Sequence, residues 1–159
     1  MAGINAELVT EFAKDKAWEG CEEAIKNQAY VFGTQYYRMS RCSNKVDVIV
    51  TDSPLLLSII YNVDETLGES FDKTVTNVFK SFNNINYWIN RTKPYNPKGR
   101  FQTEEEANEL IPKIKNLLKN NHVNYTEYDG CEEDYDKIVN DVLFHLKEFN
   151  MTNMEASNE

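Results

Sequence analysis

The sequence predicts a three-layer α/β fold, in which a mostly parallel sheet is covered by helices on both faces. Two observations predict it: strand-like and helix-like segments alternate along the chain, and one strand-like segment is apolar at nearly every position. Such alternation forms right-handed crossovers between parallel strands. Because 159 residues is about the length of one domain, we expect a single domain over residues 1–149 and a disordered polar tail over residues 150–159.

The first third of the chain is predicted to hold two strands and the helices that follow them. A short apolar run at residues 6–9 indicates a strand, and residues 12–41 favour two helices that separate between Gly20 and Asn27. Residues 46–51 (VDVIVT) are β-branched and apolar on nearly both faces, as in a strand buried inside a parallel sheet. Ser53 is suited to cap a helix and Pro54 to start it, so residues 55–61 are predicted helical.

The remainder of the chain repeats this alternation. Apolar residues recur at helical spacing between Phe71 and Phe82, and residues 85–90 alternate apolar with polar side chains as a strand does. Thr103 with Glu106 forms a capping box ahead of an apolar helical stripe that contains Pro112. A brief strand at residues 123–128 and a last amphipathic helix complete the prediction.

Composition excludes several classes of function. The net charge is −9, which disfavours general attraction to nucleic-acid phosphates or to anionic lipid. Cys21, Cys42 and Cys131 are widely spaced and odd in number, so the sequence supports neither a disulfide framework nor a zinc site. No apolar run reaches the roughly 20 residues of a membrane span, and the acidic first 20 residues do not resemble a signal peptide. We therefore expect a cytoplasmic protein.

Two acids follow predicted strands, where ligands bind in open α/β sheets. Asp52 follows the strand at residues 46–51, and a carboxylate there is suited to hold Mg²⁺ beside a bound triphosphate. The alternative is that Asp52 and Ser53 only cap the next helix. Glu11 follows the first strand and is placed to accept a proton from a substrate hydroxyl, or is simply an acid at a helix start.

The segment at residues 90–100 (NRTKPYNPKGR) has four cationic side chains and no acid. Two prolines and a glycine exclude regular structure over most of it, which predicts a mobile cationic loop. Phosphoryl transfer needs such cations to close over the transferring phosphate and spread its charge. The alternative is a solvated surface loop.

Other polar residues carry weaker signals. Arg38 and Arg41, three residues apart on a predicted helix, are suited either to a phosphate contact or to water. His122 and His145 have no partner pattern that indicates catalysis or metal binding. The acids between residues 129 and 136 lack the spacing of a calcium loop and fit the start of a helix.

Four segments, taken together, carry a family resemblance: residues 9–15 (VTEFAKD), 27–32 (NQAYVF), 49–55 (IVTDSPL) and 93–100 (KPYNPKGR). In this order they resemble phage-encoded P-loop ATP-binding proteins. That group is similar to nucleoside and nucleotide kinases, including the ribosylnicotinamide kinase domain of bacterial NAD-biosynthesis regulators. The resemblance implies a bacterial host cytoplasm, ATP and Mg²⁺ as cofactors, and a nucleoside or nucleotide as substrate.

The resemblance also implies roles for particular residues. Catalytic roles fall on Glu11, Asp52, Arg91 and Arg100, with Asp52 at the Walker B position and as the metal ligand. Substrate contacts fall on Gln35, Lys93 and Tyr95. Cofactor contacts fall on Lys98 and on Gly130, which matches the loop that borders the adenine.

One part of the family pattern is missing from the sequence. Family members begin with a strand, the loop G-x-x-x-x-G-K-S/T and a helix, whereas the six glycines here never form that pattern. The missing strand is central in the family, between those that match residues 46–51 and 85–90. We expect the gap to be filled by direct pairing of these two strands, by a strand from a second subunit, or by a natural product longer than this chain.

Two hypotheses of different classes follow. The first is a P-loop kinase-like protein that transfers a phosphoryl group from ATP to a nucleoside or nucleotide if the missing loop is supplied. The second is a non-catalytic binding protein that engages a host protein or a nucleotide.

Overall fold

The structure, a computed structural model, describes residues 3–98 and 100–156, with side chains up to residue 152. These residues form two compact units, and the single domain that the sequence predicts stays a prediction. One unit runs up to Asn84 and resumes at Tyr95–Val123; the other comprises Ile85–Pro94 and the residues from Asn124 onward. Each unit has its own small parallel sheet.

Helices and short strands alternate along the described residues. They are β1 (Ala6–Leu8), α1 (Phe12–Trp18), α2 (Glu22–Lys26), α3 (Gln28–Ser40), β2 (Val48–Val50), α4 (Leu57–Tyr61), α5 (Gly68–Lys80), β3 (Tyr87–Asn90), α6 (Glu104–Asn120), β4 (Thr126–Asp129) and α7 (Glu133–Ala156). The mixed α and β content agrees with the prediction. Within the described part of the chain, no helix has both the length and the apolar composition that a bilayer span requires.

The sheet of the first unit consists of β1 and β2. The two strands are parallel, with Ala6 opposite Val48 and Leu8 opposite Val50. A backbone hydrogen bond of 2.8 Å from Val9 to the carbonyl of Val50 extends the pairing by one residue. The sequence predicts that β2 is buried on both faces, and this is wrong: Val50 is 51% exposed, because a sheet of two strands is not enclosed as the interior of a large sheet is.

The segment at residues 12–41 contains three helices rather than the two predicted. The break falls between Gly20 and Asn27 as expected, but the short helix α2 lies inside it. Gly20 has a φ of +69° after the end of α1, a conformation that glycine adopts without strain. Asn27 ends α2 and begins α3, where its side chain accepts a hydrogen bond of 3.0 Å from the backbone N–H of Tyr30.

The core of the first unit lies between its helices and the end of β1. The most deeply buried side chains are Leu55, Leu56 and Val75. The helical spacing that predicts α5 is confirmed, because Phe71, Val75 and Phe79 are its buried residues. The predicted capping box of α6 is also confirmed: Thr103 accepts from the N–H of Glu106, whose carboxylate accepts from the N–H of Thr103.

The second unit is built from β3, β4 and α7. The two strands are parallel over four residues, with Tyr87 opposite Thr126 and Asn90 opposite Asp129. The hydroxyl of Tyr87 donates a hydrogen bond of 2.7 Å to Asp141, which fastens β3 to α7. Helix α7 continues to Ala156, into the segment for which a polar tail is predicted, and residues 157–159 lie outside the described residues.

Replacement of Val75 by alanine tests the core of the first unit. Val75 is fully buried, so Val75→Ala removes two methyl groups and leaves a cavity, and we expect the free energy of unfolding to fall by about 2 kcal/mol. Urea denaturation measures the change. The matched control is Val63→Ala, because Val63 is 72% exposed; equal effects of the two substitutions would contradict this core.

Candidate functional site

Two turns lie side by side at the carboxyl ends of β1 and β2. The first turn carries Glu11, three residues after β1, and the second carries Asp52, two residues after β2. Because the strands are parallel and adjacent, their carboxyl ends meet at the same edge of the sheet. The pairing therefore brings together two of the acids that the sequence analysis singles out.

The carboxyl of Glu11 lies in an electrostatic environment set by both turns. Burial raises the pKa of Glu11 above its usual value, and the negative charges of Asp52 and, more weakly, Asp15 raise it further. The positive charges of Lys14 and Arg100 act in the opposite direction and lower this pKa. Asp52 and Arg100 therefore both lie near enough to Glu11 for their charges to act on it.

Neither acid acts as a side-chain cap for the helix that follows it. Glu11 occupies the N-cap position of α1 but makes no side-chain capping hydrogen bond there. Helix α4 begins at Leu57 with Leu56 as its N-cap residue, so Asp52 and Ser53 lie well before it. Asp52 and Ser53 thus do not cap α4, contrary to the alternative interpretation. The carboxylates of Glu11 and Asp52 both remain available for other contacts.

A buried glutamine connects the two turns. Gln35 of α3 is only 3% exposed, and its Oε1 accepts a hydrogen bond of 3.0 Å from the backbone N–H of Phe12. Its Nε2 donates to the hydroxyl of Thr51 at 3.4 Å. Gln35 is predicted as a substrate contact; in the structure its amide faces the protein, and the substrate role stays a prediction.

The role of Gln35 as a connection was missed by the sequence analysis. The signal is its position on the apolar face of α3, whose buried residues include Val31, Phe32, Gln35 and Met39. A polar residue in a buried stripe needs hydrogen-bond partners inside the protein. Helical spacing alone does not identify those partners.

The end of the cationic loop belongs to the first unit. The guanidinium of Arg100 lies over the ring of Tyr95, with 5.6 Å from its central carbon to the ring centroid, which is the geometry of a cation–π contact. The Tyr95 hydroxyl donates a hydrogen bond to the carbonyl of Gln102. Lys98 is exposed, and its backbone N–H donates to the side chain of Asn96 at 3.0 Å. Tyr95 thus supports Arg100, while Gly99 lies outside the described residues.

The other predicted site residues belong to the second unit. Arg91 and Lys93 are exposed, and their catalytic and substrate roles stay predictions. Gly130 lies against the end of β3: a Cβ atom there would be 3.3 Å from the carbonyl oxygen of Asn90, closer than side chains normally approach. The hydroxyl of Thr92 also donates to the Gly130 carbonyl at 3.3 Å. A side chain at this position would require the end of β3 to shift slightly, and the adenine-border role of Gly130 stays a prediction.

Beside the Glu11 turn lies an open cavity of about 260 Å³, lined by Leu8, Val9, Thr10, Asp15, Arg38 and Arg41. Arg38 pairs with Asp15 at 2.7 Å and also donates to the carbonyl of Thr10 at 3.3 Å. Arg41 approaches Glu7 at 4.0 Å. Both guanidinium groups are therefore near carboxylates of the protein.

The donor set at Asp52 fits Mg²⁺ only in company with a phosphate. Among the described residues, no group of three or more His, Cys, Asp or Glu side chains is arranged to hold a metal ion. Mg²⁺ is commonly bound through one or two carboxylates together with substrate phosphates and water. The exposed carboxylate of Asp52 suits that mode.

Comparison of the chain with protein-family models, with curated proteins and with solved structures finds no match.

Glu11 should make the stability of the protein depend on pH. The pKa of Glu11 is higher in the folded state than the usual 4.5. Between these two pKa values, the folded state therefore holds a proton that the unfolded state has released. The free energy of unfolding therefore falls as the pH rises from about 4.5 through the folded-state pKa. We expect Glu11→Gln to stabilise the protein at pH 7 relative to wild type, and the difference to disappear at pH 3.5.

Urea denaturation of both proteins across this pH range measures the effect. Glu65→Gln is the matched control, because Glu65 is exposed. A Glu11→Gln variant that is no more stable than wild type at pH 7 would show that Glu11 is not held in an unfavourable environment.

Proposed function

We propose that the turns bearing Glu11 and Asp52, together with Arg100, form a phosphoryl-transfer site of the P-loop kinase class, which acts on a nucleoside or nucleotide with ATP as donor. The observation that carries the proposal is the environment of Glu11. Its carboxyl is partly buried and is influenced by the charges of both Asp52 and Arg100. Acids whose pKa is perturbed by burial and by neighbouring charges are concentrated at functional sites.

Each of the three residues has a role that suits its environment. A glutamate whose pKa is raised is a stronger base than an ordinary one, so Glu11 accepts the proton of the acceptor hydroxyl. Arg100, supported by the ring of Tyr95, would neutralise the charge that develops on the transferring group. Asp52 would hold Mg²⁺, which neutralises phosphate charge when it is bound.

The proposal requires a phosphate-binding loop in addition to these residues. The sequence contains no G-x-x-x-x-G-K-S/T pattern, and the backbone N–H groups and lysine of that loop normally bind the β and γ phosphates. The three-layer P-loop architecture likewise has a single sheet with one strand more than the sequence supplies, whereas the described strands form two sheets of two strands. The described residues support the acid and cation half of such a site.

A kinase assay tests the proposal. Wild-type protein is incubated with Mg-ATP and a panel of nucleosides and nucleoside monophosphates, beside Glu11→Gln, Asp52→Asn and Arg100→Gln. We expect each substitution to lower kcat/KM by roughly 10²-fold or more, because each removes a base or a charge that acts in the transition state.

Asp136→Asn is the control for that assay, since Asp136 is an exposed acid of α7 in the second unit. Equal turnover in wild type and in all three site variants would overturn catalysis at this site. Absence of turnover in wild type would overturn catalysis by this chain without an added phosphate-binding loop.

A second function is supported by the absence of the glycine-rich loop from the sequence. We propose as the alternative a non-catalytic binding protein that engages a nucleotide or a host protein. The cation and the acids would then orient a ligand without transferring a group.

Calorimetric titration with ATP, and separately with a nucleoside monophosphate, tests the alternative. A nucleotide-binding protein is expected to release or absorb heat with at least one of them, and to lose that signal in Arg100→Gln. If neither compound binds, the protein is not a nucleotide-binding protein. A non-catalytic role would then require a protein partner.

A further inference from the structure

The side chain of Gln35 forms a hydrogen bond to each of the two acid-bearing turns. It lies on α3, the last of the three helices between β1 and β2, and it is 3% exposed. The N–H group that it binds belongs to Phe12, the residue directly after Glu11. The hydroxyl that it binds belongs to Thr51, the residue directly before Asp52. One side chain thus contacts both turns at positions adjacent to the acids.

The hydrogen bonds fix the orientation of the amide. A backbone N–H only donates, so the atom of Gln35 that faces Phe12 must be the carbonyl oxygen, and the amide nitrogen then faces Thr51. The Thr51 oxygen accepts from that nitrogen and also from the backbone N–H of Ser53 at 3.2 Å. A continuous chain of hydrogen bonds therefore runs from Phe12 through Gln35 and Thr51 to Ser53.

We propose that Gln35, acting through Thr51, is a positioning residue that sets the separation of Glu11 and Asp52. This inference rests on the proposed function for its catalytic consequence. Its geometric content is independent of that function, because the hydrogen bonds exist whatever the site binds.

The alternative is that Gln35 only fills space in the core. The two roles differ in what happens to Glu11 when the amide is removed. With the amide gone, the N–H of Phe12 loses its acceptor and the first turn is free to move away from the second. Burial and the charge of Asp52 raise the pKa of Glu11, while Lys14 and Arg100 lower it and Asp15 raises it weakly. Because the first two causes are the largest, separation of the turns should lower this pKa toward its usual value.

The experiment compares substitutions that remove these hydrogen bonds with substitutions that do not. Gln35→Met keeps an unbranched side chain of similar size but has no amide. Thr51→Val removes only the hydroxyl, and Thr51→Ser retains it. Gln28→Met is the matched control, since Gln28 is also a buried glutamine of α3, 2% exposed, but bonds to Ile25 instead.

The readout is the pKa of the Glu11 carboxyl, followed by ¹³C NMR in the intact 159-residue chain, with circular dichroism to verify folding. We expect Gln35→Met and Thr51→Val to lower this pKa, and Thr51→Ser and Gln28→Met to leave it at the wild-type value. Where turnover is measurable, the first two should lower kcat by about 10²-fold with a smaller change in KM, because a small displacement of reacting groups has that effect.

A folded Gln35→Met protein with the wild-type Glu11 pKa would overturn the inference. If Gln35→Met does not fold, the Thr51→Val and Thr51→Ser pair decides, and equal Glu11 pKa values in that pair would overturn it. Wild-type protein without kinase activity, combined with a shifted Glu11 pKa in Gln35→Met, would reject the proposed function while the positioning role stands.

Discussion

The parallel pairing of β1 with β2 is the constraint on which the candidate site depends. It brings both strand ends to one edge of the sheet, so that Glu11 and Asp52 leave the sheet next to each other. An antiparallel pairing of the same two strands would place the acids at opposite ends. The crossover through α3 permits the parallel arrangement, and Gln35 on that helix then ties the turns together. Helix α3 is thus part of the connection between the strands and, through Gln35, also aligns the turns that follow them.

This arrangement has an energetic cost that the rest of the unit offsets. A partly buried carboxyl beside a second carboxylate is unfavourable, and Lys14 with Arg100 compensates only in part. The surrounding core supplies the remaining stabilisation, with Val9 at 2% exposure ahead of the first turn and Leu55 at 2% after the second. Functional sites typically retain such unfavourable arrangements of charge, which lower the stability of the fold.

The sequence predicted local features well and long-range ones less well. The Thr103 capping box and the buried face of α5 depend on neighbouring residues, and both were confirmed. The enclosure of β2 was predicted wrongly, since a β-branched run shows that a segment is apolar but not which elements pack over it. The sequence places Glu11 and Asp52 after predicted strands, but their being at one edge of the sheet depends on the parallel pairing of β1 with β2. The partners of Gln35 could not be predicted, because Phe12 and Thr51 lie 23 and 16 residues away.

The brevity of the strands has a consequence for how the site is lost. A parallel ribbon of three residues on each side is too small to persist without support from other elements. The two strands are therefore stabilised by the helices packed around Leu55, Leu56 and Val75. Unfolding of these helices and separation of Glu11 from Asp52 should therefore be a single cooperative event. No intermediate should exist in which the helices have unfolded and the two acids are still side by side.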